Sequence, residues 1–186
     1  PEHGIALGDL DGDGTPEVVT MLSPCSDGPI VALAPDGTEV WRSHDTDGSP
    51  FTGNFQFGAP SIADLEGDGQ AEVVVGGAIF ESDGTLRVNF RPGAGSNCCS
   101  TIPRSPITAV YDVDADGALE IVAGNAVWNG DGSVVWDDPS LVDGYVAVAV
   151  QHPGSDTPSV FGAATAGGGF DQSKMEDGIR QATMPS

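Results

Sequence analysis

Asp64-Leu65-Glu66-Gly67-Asp68-Gly69-Gln70-Ala71-Glu72 stands directly before the apolar run Val73-Val74-Val75. The same pattern occurs at Asp9-Leu10-Asp11-Gly12-Asp13-Gly14-Thr15-Pro16-Glu17 and at Asp112-Val113-Asp114-Ala115-Asp116-Gly117-Ala118-Leu119-Glu120. Each copy has acids at positions 1, 3 and 5, glycine at 6 and glutamate at 9. Four carboxylates at that spacing, with glycine where the chain must bend, make an oxygen cage for a hard cation such as Ca²⁺. One copy would read as a polar turn. Three copies in equivalent places read as a repeating structural unit that holds metal.

A second marker confirms the repeat. Asp-Gly recurs at Asp36-Gly37, Asp83-Gly84, Asp131-Gly132 and Asp177-Gly178, in steps of 47, 48 and 46 residues. Between β-prone runs this dipeptide signals a hairpin, because glycine takes positive φ readily. The acidic loops begin at 9, 64 and 112, so the first unit carries extra residues around Cys25. Each unit reads as four short strands: one entering the acidic loop, one leaving it, one entering the Asp-Gly turn and one leaving that. In the second unit these are 60–63, 73–76, 78–81 and 86–90. In the fourth they are 146–150, 160–164, 170–175 and 179–184, with 174–182 the one weak helical candidate.

Four strands in each repeat of this length predict an all-β propeller of four-stranded antiparallel blades. The blades fall at about 1–50, 51–98, 99–143 and 144–186 of a single domain. They close as a four-bladed ring or form part of a larger ring or array. The fourth unit offers Gln151–Ser159 where a loop should stand, without carboxylates at the ligand positions, and is predicted to keep the fold and lack the metal. Trp41 and Trp136, five residues beyond their turn aspartates, are expected to pack between blades, with Val88 and Ala182 in the matching places.

The formal charge is −22, from 28 acids against 6 basic residues. Nucleic acid and anionic membrane are excluded as partners, since both require a basic surface. No apolar run is long enough to span a bilayer. Twelve of the 28 acids lie in the three loops, so three divalent ions would relieve only the most crowded part of the repulsion. The chain opens at Pro1 without initiator methionine or leader and reads as a mature or excised segment. Cys25, Cys98 and Cys99 leave four options open: a bridge from Cys25 to one of the pair, a bridge between neighbours, a link between chains, or free thiols. His3, His44 and His152 are scattered without a nucleophile partner, and His44 beside Asp45 and Asp47 reads as a solvated loop. No catalytic constellation can be assembled, and the reading is non-enzymatic.

The segment Phe57-Gly58-Ala59-Pro60-Ser61-Ile62-Ala63-Asp64 through Gly76-Gly77-Ala78 resembles an FG-GAP repeat, also known as the VCBS repeat. Such repeats build the calcium-loaded propellers of integrin α subunits and of many secreted bacterial proteins. The resemblance implies side-chain ligands Asp9, Asp11, Asp13 and Glu17, with the Thr15 carbonyl. It implies Asp64, Glu66, Asp68 and Glu72 with Gln70 in the second unit, and Asp112, Asp114, Asp116 and Glu120 with Ala118 in the third. Glu66 is longer than the usual residue there, so that site should be looser. The implied protein is an extracellular calcium-binding propeller with a structural or adhesive role, a subunit of a surface fibre or tandem array. The alternative is a carbohydrate-binding module, or a fragment of a polysaccharide-degrading enzyme, with 43–57 and 92–107 as its binding face. Its partners would be other protein subunits or surface glycans.

Overall fold

The computed structural model describes residues 4–22, 27–53, 55, 58–91, 107–114, 116–124, 126–137, 145–149, 159–163 and 179–182. Every regular element among them is a strand. Strands β1 (Ala6–Gly8), β2 (Glu17–Met21), β3 (Ile30–Leu33) and β4 (Glu39–Arg42) form one antiparallel meander. A second is built from β5 (Ser61–Ala63), β6 (Glu72–Val75), β7 (Gly77–Phe80) and β8 (Leu86–Arg91). The third comprises β9 (Ala109–Tyr111), β10 (Glu120–Ala123), β11 (Ala126–Asn129) and β12 (Val134–Asp137).

The fourth sheet departs from expectation. It has three strands, β13 (Tyr145–Ala149), β14 (Ser159–Ala163) and β15 (Ile179–Ala182), in that order. The expected third strand at 170–175 lies outside the described residues, and β15 pairs directly with β14, Val160 opposite Ala182. The segment foreseen as fourth in its sheet therefore takes third place. Residues 179–182 of the weak helical candidate are extended. Among the described residues there are three four-stranded sheets and one three-stranded sheet in place of four equal ones. Their first strands lie side by side in the series β1, β5, β9, β13, and the described sheets are not closed into a ring.

Strand periodicity explains the packing between sheets, because alternate side chains point to opposite faces. In the second sheet Val73, Val75, Ala78 and Phe80 face the first sheet, meeting Leu10, Val19, Met21, Ile30, Ala32 and Trp41. Val74 and Ile79 face the third sheet, meeting Ile121, Ala123, Ala126 and Trp128. The far face of the third sheet gathers Val113, Val122 and Val127, with Trp136 packed against them. Trp41 thus lies between the first two sheets, as expected. Trp128, unmarked by the turn spacing, anchors the next interface and stacks tilted on Phe90 at 4.5 Å between centroids.

The Asp-Gly turns do more than reverse the chain. A Cβ on Gly84 would lie 2.6 Å from the Trp41 ring, whereas Gly37, with nearly the same φ (+86° against +87°), faces open space. His44, read as part of a solvated loop, is a tie between sheets: its amide donates to the Gly84 carbonyl at 3.0 Å, and its carbonyl accepts from Leu86 at 2.7 Å. The 43–53 segment is anchored at both ends, with 46–50 exposed between. Ser43 Oγ accepts from the Ile30 amide and donates to the Phe51 carbonyl, while Phe51 packs edge-on against Phe80 at 5.3 Å.

Gly37→Ala should lose about 1–2 kcal/mol of stability through its left-handed backbone. Gly84→Ala should lose about 1–3 kcal/mol more, because its methyl group also overpacks Trp41. Denaturant melts of the two variants separate backbone strain from the inter-sheet clash, and equal losses would show that the turn does not pack on Trp41.

Candidate metal centre

Each acidic loop is wound around its first aspartate. Asp9 Oδ1 accepts the amides of Gly12 and Asp13, and Oδ2 accepts that of Gly14. Asp64 repeats this with Gly67, Asp68 and Gly69. Asp112 does so with Asp116 and Gly117. These amides, Gly69 first, hold the Asp64 carboxyl below the ordinary carboxylate range. Position 6 must be glycine: Gly14, Gly69 and Gly117 have φ of +89°, +91° and +95°. The position-5 aspartates Asp13, Asp68 and Asp116 accept the amides of Thr15, Gln70 and Ala118.

The glutamate at position 9 is the first residue of a buried strand, and it closes the loop. Glu17, Glu72 and Glu120 accept the amides of Leu10, Leu65 and Val113 through Oε2, at 3.0, 2.9 and 2.8 Å. The residues so tied are the plugs that enter the three apolar clusters in turn. The ligand pattern assigns position 2 no role; its unbroken Leu, Leu, Val character was the available signal. Burial pushes the Glu120 carboxyl upward, against the Val113 amide, and Asp114, Asp116 and Asp112 add to the rise.

Two loops bring acids to a common point. Asp9, Asp11 and Asp13 each offer an oxygen within 4.8 Å of the others, and so do Asp112, Asp114 and Glu120. Such all-carboxylate donor sets fit a hard cation and not a thiophilic one. Among the described residues, Asp64, Glu66, Asp68 and Glu72 form no such group. Arg87 enters instead. Its guanidinium contacts Glu66 Oε1, lies 3.1 Å from Glu72 Oε1, and donates to both Glu81 oxygens at 2.7 and 2.6 Å. Burial pushes Glu72 up to about 7 and Glu66 adds to this, while the Leu65 amide and Arg87 pull it down. The guanidinium is held charged, first by Glu81. Residues 151–158, Cys25, Cys98 and Cys99 lie outside the described residues, as do His3, His152 and 92–106.

The repeated loop, its glycine and the Val run after it are matched by a family model described as an FG-GAP-like repeat, over residues 9–75. Over this stretch the chain is similar to that repeat family. No curated protein matches the chain. The solved biofilm matrix protein Bap1 of V. cholerae is similar in fold, with TM-score 0.66 and 21% identity over 96% of this chain and 26% of that one. The exotype rhamnogalacturonan lyase YesX is similar at TM-score 0.65 and 21% identity, over 89% of this chain and 28% of the lyase. The chain thus spans about a quarter of the length of either. The FG-GAP-like repeat accounts for the first two acidic loops, and the third loop repeats its spacing.

Glu120→Ala should cost the metal-free protein about 1–3 kcal/mol by orphaning the buried Val113 amide. Glu120→Gln, which keeps an acceptor oxygen, should recover most of it. Denaturant melts in chelator check this, and equal losses would show that the amide tie carries no weight.

Proposed function

We propose that this chain is a calcium-stabilised, non-catalytic propeller module with a structural or adhesive role outside the cell. Its FG-GAP-like units would form blades of one domain. The observation that carries the reading is the convergence of Asp9, Asp11 and Asp13, and of Asp112, Asp114 and Glu120, on loops whose second residues plug the inter-sheet cores. A cation there neutralises crowded carboxylates and thereby fixes sheet against sheet. Such coupling suits a scaffold in calcium-rich surroundings, where ligation of the folded state alone stabilises it by RT ln(1 + [Ca²⁺]/Kd), or about 2.7 kcal/mol at a hundredfold excess over Kd. The fold likeness to a biofilm matrix protein supports an extracellular setting, with self-assembly into a fibre or array as its use.

The likeness to a rhamnogalacturonan lyase favours a second reading, a module that binds polysaccharide or belongs to an enzyme that degrades it. The two readings separate in solution. A scaffold should give concentration-dependent assemblies in light scattering and a blank glycan array. A glycan module should remain small and gain melting temperature with a pectic oligosaccharide.

Calcium itself is tested by melting. Millimolar Ca²⁺ should raise the melting temperature by several degrees over EDTA, and Mg²⁺ at equal concentration should do much less. An identical curve in EDTA would remove calcium from the reading. Asp11→Asn and Asp114→Asn should each weaken the calcium response, measured by titration calorimetry, and the double variant should nearly abolish it.

A further inference from the structure

The second loop has the same spacing as the other two but a different electrostatic partner. Arg87 lies four residues beyond the turn aspartate Asp83, and the corresponding positions after Asp36 and Asp131 are Val40 and Val135. The strand registers agree: Leu86 pairs with Phe80 as Glu39 pairs with Leu33 and Val134 with Trp128. Glu81, two residues before the turn aspartate, has Ala34 and Asn129 as counterparts. Glu66 replaces the aspartate that the other loops carry at position 3, and its extra methylene lets its carboxylate reach the guanidinium. Three departures from the repeat thus fall in one unit, and all three meet at one group. The Arg87 side chain is only 19% exposed and Glu72 only 3%, so the charge is held where solvent screens it weakly.

We propose that Arg87 is the resident cation of the second loop, its guanidinium balancing Glu66, Glu72 and Glu81 where the first and third loops use a divalent ion. The chain then binds two calcium ions, and its second unit is locked without metal. Arginine suits this role: its charge persists at any accessible pH, and its planar fork grips Glu81 while a second edge meets Glu66. The two-ion count rests on the calcium reading of the first and third loops; the role of Arg87 does not.

The test is calcium stoichiometry of the full chain at pH 8, by elemental analysis after equilibrium dialysis and by calorimetry. Wild type should bind two ions, Asp9→Asn one, and Asp64→Asn still two. Arg87→Gln should gain an ion, and adding Asp64→Asn to it should remove that ion again. Arg87→Lys, which keeps the charge, should stay at two. In EDTA, Arg87→Gln should melt below wild type, and calcium should restore it. A wild type that binds three ions and loses one on Asp64→Asn overturns the proposal, using no variant of Arg87. An Arg87→Gln chain that gains no ion does so as well. If wild type binds none, the calcium reading of the first and third loops fails, while a single ion gained by Arg87→Gln would still uphold the arginine.

Discussion

A buried carboxylate that must remain in place is the constraint on which each of the first three units rests. The position-9 glutamate opens the second strand of its sheet and takes the amide of the loop's second residue, which is itself a core plug. Without that bond the amide is orphaned and the plug loses its direction, so loop shape and sheet packing fail together. The arrangement places an acid near three other acids, in surroundings where like charges repel strongly. A positive charge placed among these carboxylates relieves that repulsion, and in the second loop Arg87 supplies one.

Neighbouring sheets are joined by three kinds of contact at different radii. Near the first strands, the Gly4 amide donates to the Gly58 carbonyl and Ser61 Oγ to the Thr108 carbonyl. In the middle, alternate side chains of one sheet meet those of the next. Farther along the strands, the Gly84 turn lies flat on Trp41, and the Gly132 turn approaches Val88 and Phe90. The loops add a fourth link, since the Ala71 amide donates to the Leu10 carbonyl at 2.9 Å. The first two loops are therefore coupled directly through the backbone.

What was legible in the sequence was local. The loops are held by hydrogen bonds spanning two to seven residues, so their ligand spacing, their glycines and the strands beside them show in the linear pattern. The Asp-Gly turns are as local, and their regular spacing located the first twelve strands. The arginine was invisible for the opposite reason: Arg87 and Glu66 are 21 residues apart, one in β8 and the other in the acidic loop before β6. The fourth sheet departs in its pairing: the segment expected as its fourth strand, β15, lies beside β14, a long-range register that the Asp177-Gly178 dipeptide does not encode. Trp128 carried no motif, and only the face it occupies in the assembled sheets marks it as an anchor.

The two sources of positive charge have different physical consequences. A bound ion is exchangeable, so its contribution follows the free calcium concentration and vanishes with it. A guanidinium on the same chain has no such dependence. The second sheet, which carries it, is also the sheet that touches both the first and the third through continuous apolar clusters. On the proposed reading, the permanent cation in the middle unit would leave a seam that persists when calcium is scarce, with exchangeable locks on either side. On that reading the chain would loosen from its outer units inward in low calcium, leaving the apolar interfaces around Trp41 and Trp128 to hold the middle unit.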